Sequence, residues 1–303
     1  MSATATLPST AMKRRRSPLA RKLFPYMLVM PAVIYLLLIT LYPGVYAMYR
    51  SLYSGKFKLE WAGFANYRDI FSDTEFLNAL WNTLFLGSIT LAIEFVLAMV
   101  LAALVYRDPW VKGLRIIFLL PMLLMPSAVT FIWKLMFNDG RIISDLMKRI
   151  GLLDFNVDWM FTPALARLVV IWTDVWQWTP FLFIIFVAGL QGQDKEVEEA
   201  ARLDGASWTK LFFNITLPMM RPIIAIALIL RGIDILNMFT PIQLITHGAP
   251  GGATETLGYY INRVAWDGPN FGYASAISVV VLAFTVVAAQ LLVRRYFRSG
   301  TEA

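Results

Sequence analysis

Gln191-Gly192-Gln193-Asp194-Lys195-Glu196-Val197-Glu198-Glu199-Ala200-Ala201-Arg202-Leu203-Asp204-Gly205-Ala206-Ser207-Trp208-Thr209-Lys210-Leu211-Phe212-Phe213-Asn214-Ile215-Thr216 is a polar stretch lodged between two long apolar runs. Asp194 is placed to cap a first helix with acidic Glu196 in its opening turn. Gly205 stops that helix, and Ser207 caps a second that reaches about Asn214. The stretch therefore predicts two short helices meeting at a glycine elbow, outside the lipid that its flanks require. Asp194, Glu196, Glu198, Glu199 and Asp204 stand against Lys195, Arg202 and Lys210, so this connection is net acidic. Val197, Ala200, Ala201 and Leu203 give the first helix small apolar surface on which another protein can approach the backbone closely. A solvated surface connection accounts for the same caps and charges equally well.

The flanking runs set the solvent. Of 303 residues 58% are hydrophobic and only 16% charged, with mean hydropathy +0.61, a balance foreign to a soluble domain of this size. Apolar runs of about the 20 residues that a helix needs to cross hydrocarbon lie at 23–49, 81–105, 114–137, 168–190, 217–239 and 273–293. The expected fold is all-α and polytopic, with six transmembrane helices. The first run is too long for a cleaved signal peptide and reads as an anchor. Boundaries follow: a basic cytoplasmic tail at 1–22, a membrane domain at 23–293 containing the polar loop 191–216, and a second cytoplasmic tail at 294–303.

Lys and Arg set the orientation. Lys13, Arg14, Arg15, Arg16, Arg21 and Lys22 precede the first run, and Arg107, Lys112, Arg115, Lys195, Arg202, Lys210, Arg294, Arg295 and Arg298 fall on the same side. Arg50, Lys56, Lys58, Arg68, Arg141, Lys148, Arg149 and Arg263 fall on the other, which places both termini in the cytoplasm. The formal charge of +7 resides at the ends of apolar runs rather than in a stripe, so it suits lipid headgroups and not nucleic acid. With no cysteine and one histidine, His247, the chain has no disulfide scaffold, thiol nucleophile or multi-His metal site. His247, in a Gly/Pro-rich connection, reads as a solvated turn residue. Between Gly140 and Leu153, Ile142, Ile143, Leu146, Met147 and Ile150 recur at helical spacing opposite Arg141, Asp145 and Lys148, predicting a helix along the outer interface.

Glu199-Ala200-Ala201, Asp204-Gly205-Ala206 and Ile215-Thr216-Leu217-Pro218 closely resemble the coupling loop of membrane subunits of bacterial ATP-driven (ABC) importers. Phe64-Ala65-Asn66-Tyr67-Arg68, Leu120-Pro121, Ile132-Trp133-Lys134, Trp178-Thr179-Pro180-Phe181, Gln243 to Gly248 and Phe271-Gly272-Tyr273-Ala274 narrow the resemblance to carbohydrate-importer permeases of the maltose and glycerol-phosphate type. It covers roughly residues 42–293. Two departures are that His247-Gly248-Ala249-Pro250 stands where relatives tend to have consecutive glycines, and that no large insert precedes the second run. The resemblance implies a type I ABC importer permease fold. It also implies docking of a partner ATPase through Glu199, Ala200, Ala201, Asp204, Gly205 and Ala206. The further partners it implies are a second homologous permease and an extracytoplasmic sugar-binding protein. No cofactor is then expected on this chain, ATP and Mg belonging to the ATPase dimer; indeed the sequence has no Gly-rich Lys-Ser/Thr phosphate loop.

Glu94, Asp174, Arg231 and Asp234 fall inside predicted spans, where an ionised group costs about 2.5–3.5 kcal/mol at the centre and must face a bundle interior or water. Arg231 and Asp234, three apart, can pair on one helix, and Glu94 can reach Arg231 from a neighbour. A purely structural salt bridge explains them as well as function does. In the functional reading Asp174, Gln177 and Trp178 on the fourth span and Asp234 and Asn237 on the fifth line a sugar path, supplying hydrogen bonds and an aromatic face. Trp176 and Trp178 are about 200° apart on a helix, so only one faces such a path, while Trp172 and Trp176 read as packing. Import of another small solute is the alternative within the family. A secondary transporter coupled to ions would instead show inverted repeats, and an enzyme a cluster of catalytic groups; neither is evident in the sequence.

Overall fold

The computed structural model describes residues 18–107, 111–138, 142–152 and 157–297. Lys13 to Arg16, Gly140, Arg141, Leu153 and Arg298 lie outside the described residues, as do residues 1–17 of the first tail and 298–303 of the second.

Residues up to Tyr49 form one compact unit and those from Arg50 onward another. In the first, α1 (Pro18–Leu36) passes through a π-helical turn at Leu37–Leu41 into α2 (Tyr42–Ser51). Apolar side chains from Leu23 to Tyr42 are exposed on every face of this helix. A helix apolar all round is a helix for lipid.

In the second unit a two-residue hairpin, β1 (Tyr53–Ser54) with β2 (Glu60–Trp61), leads through α3 (Ala65–Ile70) to α4 (Thr74–Val105). Then follow α5 (Val111–Leu123), α6 (Pro126–Phe137), α7 (Ile142–Arg149), α8 (Pro163–Gln191), α9 (Lys195–Leu203) and α10 (Trp208–Leu211). A π turn at Phe212–Thr216, α11 (Leu217–Met219), α12 (Arg221–Leu236), α13 (Leu257–Trp266) and α14 (Phe271–Phe297) follow to the end of the described residues. Asp73 caps α4, its carboxylate accepting from the Glu75 and Phe76 amides, and Thr162 caps α8 ahead of Pro163, so both helices start earlier than the apolar runs suggested.

Among the described residues four helices are long and apolar enough to cross a membrane unbroken: Leu23–Ser51, Thr74–Val105, Pro163–Gln191 and Phe271–Arg294. The third and fifth expected spans are bent pairs. Ile116–Leu123 and Pro126–Phe137 meet at 94°, and Trp208–Met219 and Arg221–Leu236 at 64°. Proline is the cause: Pro126 drives Met125 into an extended conformation (ψ 130°), while Pro218 and Pro222 flank the second bend. Counting each bent pair as one crossing gives up to six spans among the described residues, by length and composition.

Helices α4 and α8 form the centre, with Ala98, Met99 and Ala102 packed against Leu182, Phe183, Phe186 and Val187. At the end away from the polar loop, Asn66 donates to the Ser51 and Tyr53 carbonyls at 2.8 and 3.0 Å, and Asn270 donates to Asn66 at 3.3 Å. A Cβ on Gly272 would run into the Tyr53 carbonyl oxygen, so the start of α14 needs glycine to lie against β1. The Phe64–Arg68 and Phe271–Ala274 stretches are therefore two halves of one packing joint. Nearby, Tyr260 and Tyr273 donate to the Asp73 carboxylate, the latter at 2.6 Å. Burial works to raise the Asp73 carboxyl, but the two phenols and the Phe76 and Glu75 amides outweigh it and hold it below its ordinary value.

The amphipathic α7 divides its apolar side chains. Ile143 and Met147 pack with Trp133, Phe137 and Trp159, whereas Ile142, Leu146 and Ile150 are exposed. Only this second stripe is free to lie along an interface.

Candidate functional site

The polar loop folds as its caps dictate. Asp194 Oδ1 accepts from the Glu196 amide at 3.0 Å and opens α9. At its end Gly205 takes φ +79°, the Gly205 amide donates to Arg202 and the Ala206 amide to Ala201, both at 3.0 Å. This pair of bonds is the Schellman arrangement, which satisfies the last carbonyls of α9. Ser207 then caps α10, and the helical path runs on through the π turn and α11 to Met219, well beyond Asn214. Glu199, Ala200 and Asp204 are exposed and Leu203 is 90% exposed, while Ala201 is buried at the root. An apolar side chain so bare beside two acidic ones makes a surface fit for a protein partner.

Behind α9 lies a cleft of about 540 Å³ lined by Tyr106, Arg107, Gln191, Gln193, Glu198, Glu199 and Arg202, among others. Glu198 pairs with Arg107, just past the end of α4, and with Arg202 at 3.3 Å. Gln191 Nε2 donates to the Tyr106 carbonyl and Gln193 Nε2 to the Thr216 carbonyl, each at 2.9 Å. Glu198 thus ties α9 to the residue just past α4, while Gln191, the last residue of α8, holds the end of α4, and Gln193, ahead of α9, holds the π turn.

A second constellation lies within the spans. Arg231 on α12 grips Glu94 of α4 with two parallel bonds, Nε to Oε2 and Nη2 to Oε1, both 2.8 Å. Nη2 also donates to Asp174 of α8, and Nη1 to Asp234 one turn along α12. The guanidinium lies 5.2 Å from the centre of the Trp178 ring. One cation thereby ties α4, α8 and α12 together and is shared by three carboxyl groups. Arg231 is 2% exposed and the Glu94 side chain fully covered, but the Asp234 side chain is 53% exposed. An ionised group that bare cannot face hydrocarbon at membrane depth without heavy cost, so it faces water or a polar partner.

Of the five residues expected on a path, Asp174, Trp178 and Asp234 are thus brought together around Arg231. Asn237 caps the end of α12 and donates to the Ile233 carbonyl at 3.0 Å, on the same exposed face as Asp234. Gln177 is buried, and its Nε2 finds no partner among the described residues. Trp172 and Trp176 pack edge-on against Trp133 at 6.0 and 5.7 Å, as packing residues do.

Sequence reasoning missed a third element. Beyond Leu236 the chain leaves the helix, makes a π turn at Ile242–Thr246, reverses at His247 (φ +52°) and returns to α13 as a hairpin. Its carbonyls are met by side chains from the spans. Lys134 donates to Leu244 at 2.6 Å, Arg167 to Ala253 at 2.9 Å, and Asn82 to Gly252 at 2.7 Å and Glu255 at 3.1 Å. Asn78 adds a bond to Gly252 at 2.9 Å, and Thr83 accepts from the Leu257 amide at 2.8 Å. Non-helical backbone packed among the spans survives because protein groups replace water. The available signal was Asn78 and Asn82 on one helical face, with Thr83 beside them, at the head of an apolar run.

Residues 94–298 match the family described as "Binding-protein-dependent transport system inner membrane component". A probable ABC transporter permease protein of Sinorhizobium fredii, y4oQ, is 33% identical, with 99% of each chain covered. The sulfoquinovosyl glycerol transport system permease protein SmoG of Agrobacterium fabrum is 31% identical over 91% of each chain. Among solved structures, a chain of a bacterial ABC transporter involved in the import of the acidic polysaccharide alginate superposes with TM-score 0.80 at 24% identity, covering 92% of this chain and 97% of that one, and so shares its fold.

Proposed function

Because the chain belongs to the family of binding-protein-dependent transport system inner membrane components, we propose that this ABC importer permease carries a carbohydrate or sugar derivative into the cytoplasm. The observation that carries the reading is the Asp194–Thr216 loop: a capped, exposed helix closed by a Schellman turn at Gly205. Family membership makes the chain a transport subunit rather than an enzyme. The sugar class is supported by the naming of SmoG for sulfoquinovosyl glycerol.

In this reading Glu199, Ala200, Ala201, Asp204, Gly205 and Ala206 dock an ATPase dimer, which supplies ATP and Mg. A second, related permease completes the membrane pair, and both termini face the cytoplasm, as the distribution of Lys and Arg favours. ATP binding closes the ATPases, moves α9 and opens the spans outward to accept sugar from an extracytoplasmic binding protein; hydrolysis resets them. Asp174, Gln177, Trp178, Asp234 and Asn237 line the path. Asp234 and Asn237 offer hydrogen-bond acceptors and donors on the exposed face of α12, and Trp178 offers a ring face.

The test is uptake of a panel of labelled sugars into vesicles holding this chain with its companion permease, ATPase and binding protein, with and without ATP. Uptake of a sugar only with ATP supports the reading. ATP-dependent uptake of amino acids or phosphate instead would refute the cargo class, and uptake by this chain alone driven by an ion gradient would refute the mechanism.

A further inference from the structure

Three helices lead from the coupling-loop end of the molecule to the Arg231 constellation, and they differ in stiffness. Between the loop and Asp174, α8 carries Pro180 inside the helix, which removes a backbone hydrogen bond. Between the loop and Arg231, the chain passes a π turn, Pro218, Pro222 and a 64° bend. By contrast α4 is a single helix of 32 residues, Thr74–Val105, with no proline. Glu94 and Val105, the last residue of α4, are about 17 Å apart at 1.5 Å per residue, and Arg107 lies two residues past that end. At one end Glu94 is gripped through two bonds by Arg231. At the other, Arg107 pairs with Glu198 of α9, and Gln191 holds the Tyr106 carbonyl.

Resting on the coupling reading above, we infer that Arg107 and Glu198 are positioning residues that make α4 the lever of this permease: displacement of α9 is delivered through their ion pair to α4, and by Glu94 to Arg231 and the groups around it. Glu198 and Glu199, adjacent in sequence, then have separate tasks. Glu198 faces inward to α4, while Glu199 stays exposed for the ATPase. An exposed ion pair adds little to stability. Its contribution here is to fix α9 on the end of a rigid element, and coupling of that kind is worth about 5-fold or more in a transport cycle.

The experiment uses the complete importer in lipid nanodiscs, reading ATPase stimulation by sugar-loaded binding protein and sugar imported per ATP in matched proteoliposomes. Arg107→Glu and Glu198→Arg, each alone, should lower stimulation about 5-fold, and the double swap should restore it in part, Arg202 being left beside a like charge; a spin-label distance separates coupling from a merely structural ion pair. This chain has no cysteine of its own, so Leu104→Cys and Glu196→Cys are its two labelling sites. Their separation should be the same in resting and ATP-bound states of otherwise native importer, and should shift on ATP binding once Arg107→Glu is added. Full stimulation in both single variants, or a label distance that changes between states with the pair intact, overturns the lever while leaving ATP-driven import standing. Loss of ATP-dependent uptake in the native importer would instead overturn the reading on which it rests.

Discussion

Replacing Arg231 with methionine keeps much of the side-chain volume and deletes the one charge shared by Glu94, Asp174 and Asp234. Glu94 then loses two 2.8 Å bonds at a site with no access to solvent, and Asp174 loses its partner at 7% side-chain exposure. Because both are covered, solvent screening takes little from the effect. Removing one member of a buried ion pair costs about 3–5 kcal/mol, chiefly through the charge left behind. The expected loss for Arg231→Met is in that range, and adding Glu94→Gln should recover about 1–2 kcal/mol by removing one stranded carboxylate. Arg231→Lys should fall between native and Met, since a single ammonium cannot reproduce the planar fork. Equilibrium unfolding in mixed detergent micelles, followed by Trp fluorescence, measures all of these. A loss below about 1 kcal/mol for Arg231→Met, or a Glu94→Gln effect that simply adds to it, would refute the constellation as the tie between α4, α8 and α12.

Two further outcomes follow from the joint at the far end of the molecule. Gly272→Ala places a methyl group against the Tyr53 carbonyl and should destabilise by about 1–3 kcal/mol, read as a lower midpoint in the same unfolding assay. Asp73 has its pKa lowered from 3.8 in the folded chain, so its contribution is complete above that value and is lost as pH falls through the depressed one. Thermal unfolding measured from about pH 3 to about pH 7 should show an acid-side loss that Asp73→Asn flattens; identical acid profiles for the two proteins would contradict the clamp by Tyr260 and Tyr273.

What the sequence revealed best was local. Asp194, Gly205 and Ser207 act within a few residues of themselves, and all three sit where cap and stop chemistry put them. Apolar runs likewise located the unbroken spans, because length and hydropathy are properties of the run itself. Bends were harder to read: Pro121, Pro126, Pro180 and Pro222 all stand in apolar runs, yet α8 runs straight through Pro180 whereas Pro126 opens a new helix at 94°. Which outcome occurs depends on the neighbours that donate to the freed carbonyls. The hairpin beyond Leu236 was illegible for the same reason, since Lys134, Arg167 and Asn82 that hold it come from other spans. Arg231 was half visible. Its pairing with Asp234 follows from spacing on one helix, but the convergence of Glu94 and Asp174 on it is tertiary.

The account rests most heavily on the elbow at Gly205, whose φ of +79° proline cannot adopt. The decisive measurement is ATP-dependent sugar uptake by the complete importer carrying Gly205→Pro beside the native one, with subunit assembly checked by co-purification. Abolished uptake in an assembled complex is the predicted result; native uptake from the assembled variant would contradict coupling through this loop, and the ATP-driven mechanism with it.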